Sequence, residues 1–189
     1  GVNVAYDAFT ATASSAVAEP ASFQHDNTRR SVATRSVQLR RLATVADNAV
    51  VGGATVSRLN GADQVAYVNG GTAGILHAYI GSRDDDGLVV LSHNTTNNTV
   101  SRVQEIANGG AVINGLTAQL DDVRKVLVSK SGNYVYVFPR RQSSFNVFSR
   151  DVTTGALTLV QVVTQGQVDP YGMVVDGLQF YSSLLSTSG

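Results

Sequence analysis

Arg83-Asp84-Asp85-Asp86-Gly87 is the most polar knot in the chain and the first place where side chains could do chemistry. Asp84, Asp85 and Asp86 are the candidate metal ligands. A calcium loop, however, wraps its ion with alternating ligands in a D-x-D-x-D-G spacing and closes with a bidentate carboxylate. The run lacks that spacing, so a solvated turn accounts for it better and no metal is expected. The three histidines are His25, His77 and His93, whereas a zinc site or a histidine-dependent hydrolase needs two or three to converge. No G-x-S-x-G nucleophile elbow and no G-x-x-x-x-G-K-[ST] phosphate loop occurs. Cysteine is absent, which removes thiolate nucleophiles, thiolate metal sites and disulfides together. The residues alone therefore name no catalytic group and imply no cofactor.

Asn94-Thr95-Thr96 and Asn97-Asn98-Thr99 both match the acceptor pattern for N-glycosylation. In a eukaryotic secreted protein Asn94 or Asn97 would carry a glycan; in a bacterial one these asparagines are turn chemistry. Charged residues make up 15% of the chain and balance at 14 against 14, so no electrostatic footprint for nucleic acid or an anionic membrane exists. No stretch approaches the roughly 18 apolar residues of a membrane span. Only Lys125 and Lys130 supply lysine, and Ser, Thr, Asn and Gly are abundant; the balance favours an extracellular or cell-surface protein. The chain opens at Gly1 without a methionine, and an excerpt of a longer polypeptide is the expectation.

The elements that must position these residues are written in a repeat. Residues 87–106 and 144–163 align without a gap at a spacing of 57. Val90 and Val147, Ser92 and Ser149, Thr96 and Thr153, Val103 and Val160, and Gln104 and Gln161 are identical pairs. The same offset pairs Leu59 with Leu116 and Tyr79 with Tyr136. A long period with strand-type content indicates radially repeated β architecture. Units of about 59–115 and 116–172 follow, with partial units on either side, so 37–189 reads as a partial propeller of about three blades. Residues 1–36 read as a lead-in or linker, with Val2, Val4 and Tyr6 alternating as an extended strand.

Within the second unit four apolar runs are expected as strands: 123–129, 134–139, 144–150 and 156–163. Asp151-Val152-Thr153-Thr154-Gly155 is a hairpin turn in which the Asp side chain accepts local N–H bonds and Gly takes the positive φ. The first unit writes Asn94-Thr95-Thr96-Asn97-Asn98 in the same place. Apolar residues on both alternating faces mark strands covered on two sides, as in stacked blades. Tyr136 and Phe148 should be buried, and Asn97, Thr154 and Gly155 exposed. The offset also sets Arg140-Arg141 in the turn equivalent to Asp84–Asp86. A rim pairing of Asp84 and Asp86 with Arg140 and Arg141 is expected, worth about 0.2–1 kcal/mol.

Gly132-Asn133-Tyr134-Val135-Tyr136-Val137, Phe148-Ser149-Arg150-Asp151 and Thr154-Gly155-Ala156-Leu157 resemble the repeat of lactonase-type seven-bladed β-propellers, the phosphogluconolactonase-like and YVTN-type proteins. Val175-Asp176-Gly177-Leu178 and Ile113-Asn114-Gly115-Leu116 are similar to the segment that opens such a blade. Where that family has Ser-Pro-Asp-Gly, this chain has Ser129-Lys130-Ser131-Gly132, and no catalytic residue carries over by position. The resemblance implies an all-β fold of four-stranded antiparallel blades. With divergent turns and no catalytic cluster, the expected function is a non-catalytic propeller module of a larger surface protein, acting in structure, assembly or recognition. The alternatives are a lactonase-like hydrolase of sugar-derived lactones with its site in the channel, and a subunit of a filament or multi-subunit assembly. Remaining blades would come from the same longer chain, a second copy or a partner subunit.

Overall fold

Alternating strands and polar turns account for the whole of what can be traced, and among the described residues no helix forms. A computed structural model describes residues 3–7, 41–113, 115–164, 174–176 and 179–181, with side chains over 44–111 and 115–164. Strand β1 (Asn3–Asp7) pairs antiparallel with β2 (Arg41–Ala46), and a tight hairpin of β3 (Ala49–Val51) and β4 (Ala54–Val56) follows. The first complete blade is the antiparallel sheet β5 (Ala62–Asn69), β6 (Ile75–Ser82), β7 (Gly87–Asn94) and β8 (Thr99–Ala107), in that spatial order. A second hairpin, β9 (Val112–Ile113) and β10 (Leu116–Thr117), leads to the second blade. That blade is β11 (Val123–Val128), β12 (Tyr134–Pro139), β13 (Ser144–Arg150) and β14 (Leu157–Thr164), again in sequence order. β15 (Val174–Asp176) pairs with β16 (Gln179–Tyr181) beyond it. The strands of the second blade fall on the four runs expected from the sequence.

The blades lie closest at their first strands, where β11 packs against β5 and β6, while the outer strands β8 and β14 are reached by the intervening hairpins. The sheets thus stack as wedges, narrow at β5 and β11. Between them lies an apolar core of Tyr79, Leu88, Val90, Val126, Val135, Val137 and Phe148, among others. Full burial of a side chain such as Phe148 stabilises by about 1.5–3 kcal/mol. The opposite face of the first blade packs Ala78, Ile80, Val89 and Leu91 against Val45, Val56 and Leu59. On the far face of the second blade, Tyr136, Phe138, Phe145 and Val147 form a third cluster. Both faces of each middle strand are therefore covered, which is why those strands lack a polar face.

Three outer strands carry the same irregularity. The extra residue of a β-bulge falls at Leu42 in β2, Val103 in β8 and Val160 in β14, as the pairing of β1–β2, β7–β8 and β13–β14 requires. Matching bulges identify β1 and β2 as the outer pair of a preceding blade. The expected lead-in thus contributes a strand to that blade through Asn3–Asp7; the rest of 1–36 lies outside the described residues.

The spacing of 57 holds for the second, third and fourth strands but not for the first. Val65 pairs with Ile80 and Val126 with Val137, so β11 follows β5 at a spacing of 61. The hairpin joining β5 to β6 is four residues longer than its counterpart. Leu59 therefore corresponds to Leu120, both fully buried, and not to Leu116, which is 51% exposed. Tyr136 and Phe148 are buried, and Asn97 and Thr154 exposed. Gly155 differs from expectation: it is buried, because the β13–β14 turn folds against His77 of the first blade, and a Cβ there would sit 2.7 Å from the imidazole.

Candidate functional site

A bulge at the start of each first strand turns a charged side chain towards the inner edge. Ala62 and Gln64 pair with Ser82 and Gly81, leaving Asp63 extra in β5; Val123 and Lys125 pair with Pro139 and Phe138, leaving Arg124 extra in β11. A bulge bends its strand and re-aims the unpaired residue. Because the two bulges are equivalent, their side chains meet across the blades, with Arg124 Nη1 3.5 Å from Asp63 Oδ2. The Arg124 side chain is 13% exposed and that of Asp63 38%.

Asp122 anchors this pair from below. Its carboxylate is buried, accepting Arg124 Nε at 2.5 Å on Oδ1 and Arg124 Nη2 at 3.2 Å on Oδ2. Two-point pairing with a guanidinium is the strong form of this contact and fixes its plane. Arg141 Nε stands 3.7 Å and Arg140 Nη1 4.0 Å from the same Oδ2, while Arg141 Nη1 is 3.7 Å from Asp121 Oδ1. Arg140 and Arg141 are 62% and 69% exposed, so these longer contacts are screened by water. The backbone N–H of Asp122 donates to Asp86 Oδ1 in the β6–β7 turn of the first blade, at 2.9 Å. A fixed guanidinium beside a half-exposed carboxylate can hold a carbonyl or anionic oxygen and accept a proton nearby.

A second cluster lies at the other end of the sheets. Arg150, at the end of β13, is buried and donates from Nε to Tyr79 Oη at 2.7 Å, from Nη1 to the Gly132 carbonyl at 2.8 Å and from Nη2 to the Asn69 carbonyl at 2.8 Å. Its Nη2 also meets His77 Nδ1 at 2.7 Å. Since the guanidinium only donates, Nδ1 accepts and the imidazole proton sits on Nε2, a buried atom with no hydrogen-bond partner among the described residues. Tyr79 Oη in turn donates to the Gly155 carbonyl at 2.9 Å. Burial, and then the Arg150 charge, hold the His77 pKa below its ordinary value, with Asp151 opposing them more weakly. Burial raises the Tyr79 phenol, which Arg150 partly offsets. The group has no open side for a substrate and joins two blades.

Of the residues singled out from sequence, Asp86, Arg140 and Arg141 meet around Asp122, and the others lie apart. Asp84 pairs with its neighbour Arg83 at 2.7 Å, and that hydrogen bond is the main reason its carboxyl titrates below the usual range. Asp85 Oδ2 accepts the Asn60 N–H at 2.8 Å, and Asp86 reaches the Asp122 backbone. Arg140 and Arg141 lie at the same end of the sheets, over Asp121 and Asp122 of their own blade. The contact between neighbouring rims is thus a carboxylate-to-backbone bond from Asp86, where ion pairing of Asp84 and Asp86 with Arg140 and Arg141 was expected. Asn94 Oδ1 accepts the N–H groups of Thr96 and Asn97, and Asn97 Oδ1 accepts the N–H and the hydroxyl of Thr99. His93 Nε2 contacts Asn98 Oδ1 at 3.0 Å, away from His77; His25 lies outside the described residues. Sequence reasoning passed over Asp63, Asp122 and Arg124. The available signal was the charged pair Arg124-Lys125 inside the run Val123–Val128.

The profile of the family described as "Lactonase, 7-bladed beta-propeller" matches residues 76–170. The chain belongs to that family. Its fold is accordingly a β-propeller of four-stranded antiparallel blades. Among solved structures, a Bacteroides fragilis protein provisionally named a 6-phosphogluconolactonase is 21% identical, with a TM-score of 0.49 over 70% of this chain and 32% of that one. The periplasmic gluconolactonase of Pseudomonas aeruginosa is 20% identical, with a TM-score of 0.45 over 77% and 34%. The chain therefore spans about a third of the length of these structures. No curated protein matches it. Membership of a lactonase family overturns the expectation of a non-catalytic module serving structure, assembly or recognition; of the readings drawn from sequence, the hydrolase is the one the family supports.

Proposed function

We propose that this propeller belongs to a lactonase-like hydrolase that opens sugar-derived lactones. Family membership over residues 76–170 is the observation that carries the reading, and the bulge-borne pair Asp63 and Arg124 supplies a place for the chemistry. Water adds to the lactone carbonyl, the ring C–O bond breaks, the ring oxygen leaves as a hydroxyl and the acid formed releases a proton. Negative charge builds on the carbonyl oxygen as water attacks, and a guanidinium fixed beforehand stabilises it without reorganising. Arg124 is so fixed by Asp122. Asp63, more exposed and next to Arg124, is placed to take the proton from water.

The test is proton release followed at constant pH with a panel of sugar δ- and γ-lactones. The purified protein should exceed the spontaneous rate, and Arg124→Met should lower kcat/KM by about a hundredfold, the usual loss of one oxyanion donor. A wild-type rate equal to the spontaneous one for every lactone would overturn the proposal.

A further inference from the structure

The corresponding positions of the two blades differ at one place in a way that bears on Arg124. At the register spacing of 61, Asp122 corresponds to Gly61, and both have left-handed backbones, with φ of 58 and 67 degrees. Glycine adopts that conformation freely, whereas a residue with a Cβ does so at a cost. In the first blade a side chain is also excluded by space, since a Cβ on Gly61 would lie 2.6 Å from Asp84 Cγ. In the second blade the turn residue corresponding to Asp84 is Arg141, and Asp122 fills the space beside it, with its Oδ2 3.7 Å from Arg141 Nε. The pair Gly61 and Asp84 has become Asp122 and Arg141: the carboxylate has moved from the exposed turn to a buried, strained position. Strain held at one copy of a repeat and absent from the other points to a task specific to that copy.

The task is legible in the contacts. Asp122 takes the Nε and Nη2 edge of Arg124 and leaves its Nη1 side turned to Asp63. Its own backbone is held across the blade boundary by Asp86, itself left-handed with φ of 47 degrees. Two strained aspartates in series therefore set the plane of one guanidinium from two blades. We propose that Asp122 is a positioning residue: its buried carboxylate fixes the plane in which the Arg124 guanidinium meets Asp63 and a bound lactone. The inference rests on the lactonase reading above for its ligand, but not for its geometry.

The experiment compares wild type with Asp122→Gly, Asp122→Asn and Asp122→Glu. Glycine is the residue the other blade uses, so the backbone keeps its conformation. Without ligand, nitrogen-15 NMR should show a dispersed Arg124 Nε–H resonance in wild type. It should collapse to the position of a free arginine in Asp122→Gly, with backbone amide signals unchanged beyond the immediate turn. Binding of a δ-lactam analogue of a sugar lactone should weaken about tenfold or more in Asp122→Gly, as expected when a contact group is misplaced by about an ångström. Asp122→Asn should bind between the two, and Asp122→Glu should give no rescue. An unchanged Nε–H resonance in Asp122→Gly, or lactam affinity within about twofold of wild type at saturating sensitivity, would overturn the proposal. Should Asp122→Gly fail to fold, Asp122→Asn carries the same two readings. A wild type that neither binds the lactam nor hydrolyses any lactone would overturn the lactonase reading instead, and the ligand-free resonance would still decide whether Asp122 sets Arg124.

Discussion

Arg124 and Arg150 are both arginines on strands of the second blade that reach towards the first, and they are held in opposite ways. Arg150 is buried among neutral acceptors, two carbonyls, a phenol and an imidazole, each 2.7–2.8 Å away. Arg124 is paired with carboxylates on a bulge at the inner edge. A charge that meets only neutral acceptors keeps its full attraction for them and is hard to extract without leaving several buried polar groups unpaired. Arg124 is held at two points by the buried Asp122, while its Nη1 faces the half-exposed Asp63, where water screens the pairing. One arginine staples the blades from within, and the other is held by carboxylates at the inner edge.

The largest effect should come from removing the staple. Arg150→Met should cost about 3–5 kcal/mol, because four acceptors lose their donor at once, read as a fall in the urea midpoint at unchanged slope. Arg124→Met should cost less, about 1–3 kcal/mol, because the buried Asp122 carboxylate loses its two-point partner while Arg141 still faces it, and it should abolish most lactone hydrolysis. Equal losses of stability in the two variants would break the distinction between staple and site.

Gly155→Ala tests the other side of the staple. Gly155 has φ of 82 degrees and its missing Cβ would lie 2.7 Å from the His77 ring, so about 2 kcal/mol should be lost from strain and overlap combined. Tyr79→Phe should lose a similar amount, about 1–3 kcal/mol, by leaving Arg150 Nε and the Gly155 carbonyl without their shared hydroxyl. If either is neutral in urea unfolding, the network does not bind the blades together.

A smaller effect sharpens the comparison through pH. The folded His77 pKa is depressed below 6.5, so the unfolded chain takes up the proton first. Stability from this group is fully present above about pH 6.5 and is lost as pH falls from there through the depressed folded value. Asp151, whose carboxyl is held below 3.8 chiefly by the N–H groups of Thr154 and Thr153, keeps its contribution until pH falls below 3.8 and loses it as its folded pKa is passed. Urea midpoints for wild type and His77→Gln should therefore converge between about pH 7 and 5. Parallel curves would show that His77 is not held neutral by burial and Arg150.

The hairpin turns were legible because their chemistry is local. Asp151 Oδ1 accepts the N–H groups of Thr153 and Thr154, and Asn94 Oδ1 those of Thr96 and Asn97, so two sequences announce one backbone demand. The strands of the second blade were legible from runs covered on both faces. The candidate site was legible only in part: of Asp84, Asp85, Asp86, Arg140 and Arg141, to which the sequence drew attention, Asp86, Arg140 and Arg141 reach Asp122, while nothing singled out Asp63 or chose Arg124 over Lys125.

By itself the sequence determined an all-β chain, its strands and turns, a 57-residue period and a likeness to lactonase propellers, because side-chain alternation and turn preference act over a few residues. Only the tertiary structure decided that the first strand keeps a spacing of 61, that Asp63 and Arg124 are the residues left over by the bulges, and that Arg150 meets Tyr79 from 71 residues away. A bulge and an inter-blade hydrogen bond depend on how one sheet is set against the next. That setting is fixed by the apolar core packed between the blades, to which residues far apart in the chain contribute together.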